Sequence, residues 1–315
     1  MFCTTPSVIH SSSINQSGAG AARHTNASLL DLVRLTPLME LTSGRANVSV
    51  GLIDGPVASD HPDLATSNIR EIPGSLTGTC ARADSLACMH GTFVAGILSA
   101  NRGSAAPAIC PDCTLLLRPI FAESSSNDGR MPSATPEELA TAIVDCIENG
   151  ARIINLSAAL AQPSAKGERK LEEALDYSAR RGVFIVAASG NQGTVGSSAI
   201  TRHPWVIPVI ACDGKGRPIS YSNLGNSIGR RGLSAPGAGV QSLATNGQVP
   251  TFSGTSAAAP FVTGAIALLQ SLFVNATVSD IRIAITSWVG RRRSVVPILL
   301  DAWMSYQILA KSQKR

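Results

Sequence analysis

The chain has 315 residues, enough for one large α/β domain or two ordinary ones. With 44% hydrophobic and 15% charged residues it can fill a sizeable core, which excludes a disordered chain; its 28 glycines and 18 prolines are scattered, which excludes a collagen-like or low-complexity array. The formal charge of +5 gathers near the C-terminus, in Arg291, Arg292, Arg293, Lys311, Lys314 and Arg315, but only 4% of residues are aromatic and no nucleic-acid module accompanies it, so no nucleic-acid partner is expected.

Residues 1–25 are rich in Ser, Thr, Asn and Gly and lack a basic start followed by an apolar run of signal length. They read as a mobile arm, and the compartment as cytoplasmic. Residues 26–45 read as a short segment, helical within Asn26–Ser43, packed on one domain spanning 46–309, with 310–315 as a basic tail. In that domain, β-branched apolar runs at Val48–Ile53, Leu115–Ile120, Arg152–Leu156, Val183–Ala188 and Trp205–Ala211 predict buried strands. Thr135-Pro136-Glu137-Glu138 is a capping box with Pro at the first helical position, and its helix stops at Gly150. A second helix runs from about Gly167 to Arg181 and ends on Gly182. The Ala-rich stretch Ala257–Leu269 predicts a buried central helix with Pro260 in its first turn.

No uninterrupted apolar run reaches the roughly 18 to 20 residues of a membrane span, so no membrane partner is expected. Strands alternating with helices predict an α/β fold, a mostly parallel central sheet with helices on both faces, because each parallel connection must cross the sheet. Functional residues then collect beyond the carboxyl ends of the strands, where Asp54 and Asn191 stand.

Serine-protease chemistry needs a nucleophilic hydroxyl, a histidine base and a carboxylate that fixes the histidine tautomer. Asp54 ends a buried strand, where an ionised group needs a firm partner, although alone it reads equally well as a turn cap. His90-Gly91-Thr92 opens an apolar helical segment on a glycine-permitted turn; alone, such a histidine is more often structural. Ser256, in Ser253-Gly254-Thr255-Ser256-Ala257-Ala258-Ala259-Pro260, stands at a helix start, where a serine also serves as an N-cap.

Together these segments resemble the subtilisin-like serine proteases, the subtilase family. Asp54 with His61-Pro62-Asp63-Leu64 looks like the family's aspartate block, His90-Gly91-Thr92 like its histidine block, and Gly254 to Pro260 like its serine block, in the family's order of Asp, His, Ser. Ala187-Ala188-Ser189-Gly190-Asn191 is similar to the segment that holds the oxyanion-hole asparagine. The resemblance covers residues 46 to 309 and implies a subtilisin-like three-layer fold, a triad of Asp54, His90 and Ser256, and an oxyanion hole of Asn191 with the Ser256 N–H. Substrate would lie along Ser157, Ala158, Ala159, Ser189 and Gly190. Ala158 and Ala159 replace the more usual Leu-Gly, and the added methyl implies a narrowed S1 pocket. Phe93 and Ala257 depart from common family residues without touching proton transfer.

The implied activity is serine endopeptidase on a peptide or protein substrate, with no cofactor. The Asp54-Gly55-Pro56-Val57 variant and residues 108–121 look closest to the branch of cyanobactin-type maturation proteases, which cut modified precursor peptides; only 47 residues precede Val48, too few for both a signal and the family's usual pro-domain, so a selective processing enzyme that folds without a cleaved pro-domain is expected. The alternative is a pseudoprotease that binds a precursor without cutting it. The family often binds calcium after its histidine helix, but 101–108 has no carboxylate, so no metal is expected.

Two further signals carry no chemistry. Gly225-Asn226-Ser227-Ile228-Gly229 matches an α/β-hydrolase elbow, but none of the five histidines follows Ser227. Cys110-Pro111-Asp112-Cys113 reads as a structural loop element, and pairing among Cys80, Cys88, Cys110 and Cys113 is open.

Overall fold

The computed structural model describes residues 25–123, 133–160, 168–286 and 294–313, with the backbone alone at Ile9–Ser11, Asn15–Gln16 and Ala158–Leu160. The chain opens with two short strands, β1 (Ile9–Ser11) and β2 (Asn15–Gln16). Helix α1 (Asn26–Leu32) is capped by the Thr25 hydroxyl, and α2 (Thr36–Leu41) has Pro37 in its first turn. The single helix expected within Asn26–Ser43 is thus two, broken at Arg34, whose φ of 53° is left-handed. Strand β3 (Ser49–Ile53) is followed by a 3-10 turn at Pro62–Leu64, β4 (Ile69–Glu71), helix α3 (Leu86–Ser99) and β5 (Thr114–Leu117).

Strand β6 (Ser133–Ala134) leads into α4 (Pro136–Glu148), β7 (Ile153–Leu156) and β8 (Ala158–Leu160). The capping box opens α4: the Thr135 hydroxyl accepts the Glu138 N–H, and the Glu138 carboxylate accepts the Thr135 N–H. Then come α5 (Arg169–Arg181), ending on Gly182 at φ 66°, β9 (Phe184–Ala188), α6 (Ala199–Arg202) and β10 (Ile207–Cys212). The last part holds α7 (Asn226–Arg231), β11 (Leu233–Pro236), β12 (Val240–Gln241) and β13 (Thr251–Ser253). It closes with α8 (Thr255–Leu272), α9 (Val278–Thr286), β14 (Ile298–Leu299) and α10 (Ala302–Ser312).

Eight strands form the central sheet in the order β14-β11-β10-β9-β7-β3-β5-β4, every neighbouring pair parallel. Alternate side chains feed two cores. Val50, Leu52, Ile153, Phe184 and Val186 face α3 and α8, while Ile53, Ile154, Leu156, Ile185 and Ala187 face α4 and α5. Two helical layers around a parallel sheet give the three-layer fold expected. All five predicted runs are strands. The run at Leu115–Ile120 ends early, at Leu117, because Pro119 has no N–H for the ladder.

Helix α8 is long and apolar enough to cross a membrane, and alone is so among the described residues; it lies 89% buried against the sheet, so it is the interior helix of the fold. Burying Phe261, Ile266, Leu268 and Leu269 completely contributes about 1.5–3 kcal/mol for each. Pro260 is its sixth residue, a turn further in than expected. Within residues 1–25, expected as a free arm, β1 lies between β6 and β8 and β2 pairs with β13. Helix α10 runs through Ser312 into the expected tail. The Arg291 to Arg293 run, Lys314 and Arg315 lie outside the described residues.

Cys80 and Cys88 form a disulfide that ties the loop after β4 to the first turn of α3. Cys110, Cys113, Cys146 and Cys212 are buried free thiols. The hydrogen bond between Cys110 and Cys113 raises the Cys110 thiol well above its ordinary value, with burial adding to the rise, and lowers that of Cys113.

Candidate active site

After β3 the chain turns to one side of the sheet, through β4 and β5, and then to the other, from β7 onward. The crevice between the carboxyl ends of β3 and β7 is therefore the switch point of the topology, where ligands bind in open parallel sheets. Asp54 follows β3 directly and Ser157 follows β7. Asp54 is fully buried; its Oδ1 accepts the Gly55 N–H at 2.7 Å and meets His90 Nδ1 at 2.6 Å. Because a carboxylate only accepts, this contact places the imidazole proton on Nδ1 and leaves Nε2 as the basic nitrogen.

His90 sits at the fifth residue of α3, inside the helix rather than at the start expected. Its neighbour Gly91 serves close approach, not a turn. A Cβ on Gly91 would lie 2.3 Å from the Pro56 carbonyl oxygen, and one on Gly55 would lie 2.1 Å from that of Ala87. Two glycines thus let α3 rest on the turn after β3, and this sets the Asp54 to His90 distance. Gly91→Ala is expected to push α3 off that turn and lower kcat at least about 100-fold, since a shift of about 1 Å in a reacting group has that cost. Steady-state kinetics check this; kcat within about threefold of the parent would contradict it.

Ser256 is the second residue of α8, so its N–H is among those with no intrahelical acceptor. The residue before it binds the loop after β9. The Thr255 N–H donates to Asn191 Oδ1 at 2.9 Å, and the Gly190 N–H donates to the Thr255 hydroxyl at 3.2 Å. Anchoring Oδ1 turns the other edge of the Asn191 amide, its NH₂, away from that contact. Ser189 hydrogen bonds through its backbone N–H to Val209 O, continuing the ladder. Two groups thus stand at the carboxyl end of the sheet, Asp54 with His90 and Ser256 with Ser157, Ser189, Gly190 and Asn191; among the described residues no hydrogen bond joins them, and His90 Nε2 is buried without a hydrogen-bond partner. Of Ala158 and Ala159 the backbone alone is described, in β8, so the narrowed pocket lies outside the described residues.

Sequence reasoning missed three side chains that hold these groups. Pro260 cannot donate to the Ser256 carbonyl four residues back, and the Ser157 hydroxyl lies 3.4 Å from that oxygen instead. Asn155 Nδ2 donates to the Ser157 hydroxyl at 2.8 Å, and its Oδ1 accepts from Thr263 at 2.8 Å. Ser157, Asn155 and Thr263 are fully buried, and each left unpaired would cost about 1–3 kcal/mol. Asn155 interrupts the apolar run of β7, a signal that was visible in the sequence. Asn223 organises the Asn191 loop: its Oδ1 accepts from the N–H groups of Gln192 and Thr194, and its Nδ2 donates to the Ser189 carbonyl at 3.1 Å. Nothing local in the sequence marks it.

Among the described residues one group of side chains could share a metal ion, Cys80, Cys88 and Glu123. The two sulfurs are joined to each other, and the Glu123 carboxylate accepts the N–H groups of Ala81 and Arg82. In the segment after α3, the Arg102 guanidinium donates to the carbonyls of Met39, Thr42 and Ile109. A fixed side-chain cation thus satisfies carbonyls from two segments. EDTA is expected to leave activity and Tm unchanged; a fall in both, restored by calcium, would contradict this.

A model of the subtilase family matches residues 45–293. Among curated proteins, subtilisin DY of Bacillus licheniformis is 30% identical over 248 residues, 77% of this chain and 83% of that one. Subtilisin J of Geobacillus stearothermophilus is 30% identical over 243 residues, 75% of this chain and 59% of that one. Among solved structures, a mutant of the protease domain of PatA superposes with a TM-score of 0.77 at 30% identity, covering 85% of this chain and 97% of that one. The prenylagaramide maturation protease PagA superposes with a TM-score of 0.75 at 28% identity, covering 87% and 98%.

Proposed function

The chain belongs to the subtilase family and is a serine endopeptidase, and from that premise we propose that it opens a precursor peptide through an acyl-enzyme on Ser256. The observation that carries this reading is the buried 2.6 Å contact of His90 with Asp54 at the carboxyl end of β3; the helix start that holds Ser256 is bonded to Asn191 at the carboxyl end of β9.

In the first half-reaction His90 Nε2 takes the hydroxyl proton as Ser256 Oγ bonds to the peptide carbonyl carbon. The carbonyl oxygen becomes an oxyanion and accepts from the Asn191 NH₂ and the Ser256 N–H. The C–N bond then breaks, the leaving amine takes the proton from His90, and the acyl-enzyme remains. Water repeats the sequence from the other side: His90 accepts its proton, and Ser256 leaves with that proton as the acid product departs. Asp54 holds the Nδ1–H throughout and stabilises the imidazolium.

The restriction to precursor peptides rests on PatA and PagA, whose names describe maturation proteases and whose chains this one covers almost entirely. A dedicated enzyme draws binding energy from recognition elements away from the cut. The purified chain is therefore expected to hydrolyse unfolded casein poorly, and to cut a small set of sequences in a proteome-derived peptide library read by mass spectrometry. Efficient casein digestion would refute the selective reading.

A further inference from the structure

Thr263 is the one polar side chain in the run Phe261–Leu269 of α8, and it is fully buried. A hydroxyl inside a helix ordinarily donates to the carbonyl four residues back. Thr141, Ser271, Thr286 and Ser305 do so, to Glu137, Ala267, Arg282 and Asp301. Thr263 instead reaches across to the sheet, where its hydroxyl donates to Asn155 Oδ1 at 2.8 Å. It stands about two turns after Ser256, on the same face of α8, the face turned to the end of β7.

From Thr263 three hydrogen bonds run in one direction. The Thr263 hydroxyl donates to Asn155 Oδ1, Asn155 Nδ2 donates to the Ser157 hydroxyl at 2.8 Å, and the Ser157 hydroxyl donates to the Ser256 carbonyl at 3.4 Å. Each link fixes the next. Because Oδ1 already holds a donor, Asn155 offers Ser157 its NH₂ edge; a hydroxyl that accepts there has its own proton free, and the Ser256 carbonyl takes it. That carbonyl needs a donor from outside the helix, since Pro260 brings no N–H to it. The chain of donors thus pins the peptide unit that follows Ser256, in the turn of α8 whose own N–H groups have no intrahelical acceptor.

We propose that Thr263 is a positioning residue for the nucleophile: its hydroxyl sets the orientation of the Asn155 amide and, through Ser157, the placement of the Ser256 Oγ and N–H that the reaction uses. The inference rests on the endopeptidase reading. Valine in place of Thr263 keeps the shape and removes the donor. Oδ1 of Asn155 then has no donor, and nothing fixes which edge of the amide meets Ser157. With the amide turned over, Ser157 donates to Oδ1 and the Ser256 carbonyl is left unpaired.

The test is the second-order rate at which a fluorophosphonate labels Ser256 in the full chain, below Tm. That reaction forms the Oγ–P bond, expels fluoride and passes the hydroxyl proton to His90, so it needs no identified substrate. Thr263→Val and Ser157→Ala are each expected to label about tenfold more slowly than wild type, the scale of a shift of less than about 1 Å in a reacting group. Thr263→Ser keeps the donor and is expected to label within about twofold of wild type. Because both losses break one chain, the double variant Thr263→Val with Ser157→Ala is expected to label within about twofold of the slower single variant. A role in helix packing alone would instead make the two losses multiply, or leave Thr263→Ser as slow as Thr263→Val. Either of those results, or labelling of either single variant at the wild-type rate, would overturn the inference. Failure of the endopeptidase reading is distinct: no adduct forms on Ser256 of the wild-type chain, and the inference falls with it.

Discussion

Ser256→Ala is expected to abolish turnover while leaving the fold unchanged. The substitution deletes one oxygen from the second residue of α8. What Ser256 contributes to the structure is its carbonyl, which the Ser157 hydroxyl approaches and which alanine keeps. The Tm should therefore stay within a few degrees. The loss should be about 10⁶-fold in kcat, the scale set by the corresponding change in subtilisin, with residual catalysis of about 10³ to 10⁴ over water left to the oxyanion hole and binding. Wild-type rates in this variant would remove Ser256 as the nucleophile.

Asn191→Ala is expected to lower kcat by about 100-fold to 1000-fold with a smaller change in KM, a range likewise taken from the oxyanion-hole asparagine of subtilisin. The physical reason lies in how the amide is held. Its Oδ1 is engaged by the Thr255 N–H, so the NH₂ is oriented before substrate arrives and needs no reorganisation as the oxyanion forms. Alanine removes that donor and also releases an N–H at the start of the helix bearing Ser256. Because the lost hydrogen bond is strongest in the transition state, the effect falls on kcat. A change confined to KM would assign Asn191 to substrate binding instead.

The parts of this molecule that were legible in the sequence are those that water or backbone geometry enforces. The five central strands are apolar and β-branched because both faces of a parallel sheet are covered, and α4 and α5 announce themselves through the Thr135 to Glu138 box and Gly182. Strands β4, β11 and β14 were not legible, since three, four and two residues leave no periodicity to read. The segment at β1 was hidden for a different reason. Ile9–Ser11 is ordered by pairing on both sides, and main-chain pairing leaves no compositional mark on a Ser-rich stretch.

The site divides in the same way. Asp54, His90, Ser256 and Asn191 were visible because their neighbours must be glycine or alanine for elements to approach closely, as Gly55 and Gly91 do. Asn223 acts from more than thirty residues away in sequence through backbone groups of the Asn191 loop, and only the fold brings it there.

The central claim, a nucleophilic Ser256 activated by His90, is tested most directly by an active-site phosphonate. The full chain is incubated with a fluorophosphonate and digested, and the adduct is located by tandem mass spectrometry. One adduct per chain is expected, on the peptide containing Ser256, and none in Ser256→Ala; no adduct, or an adduct on another serine, would contradict the assignment.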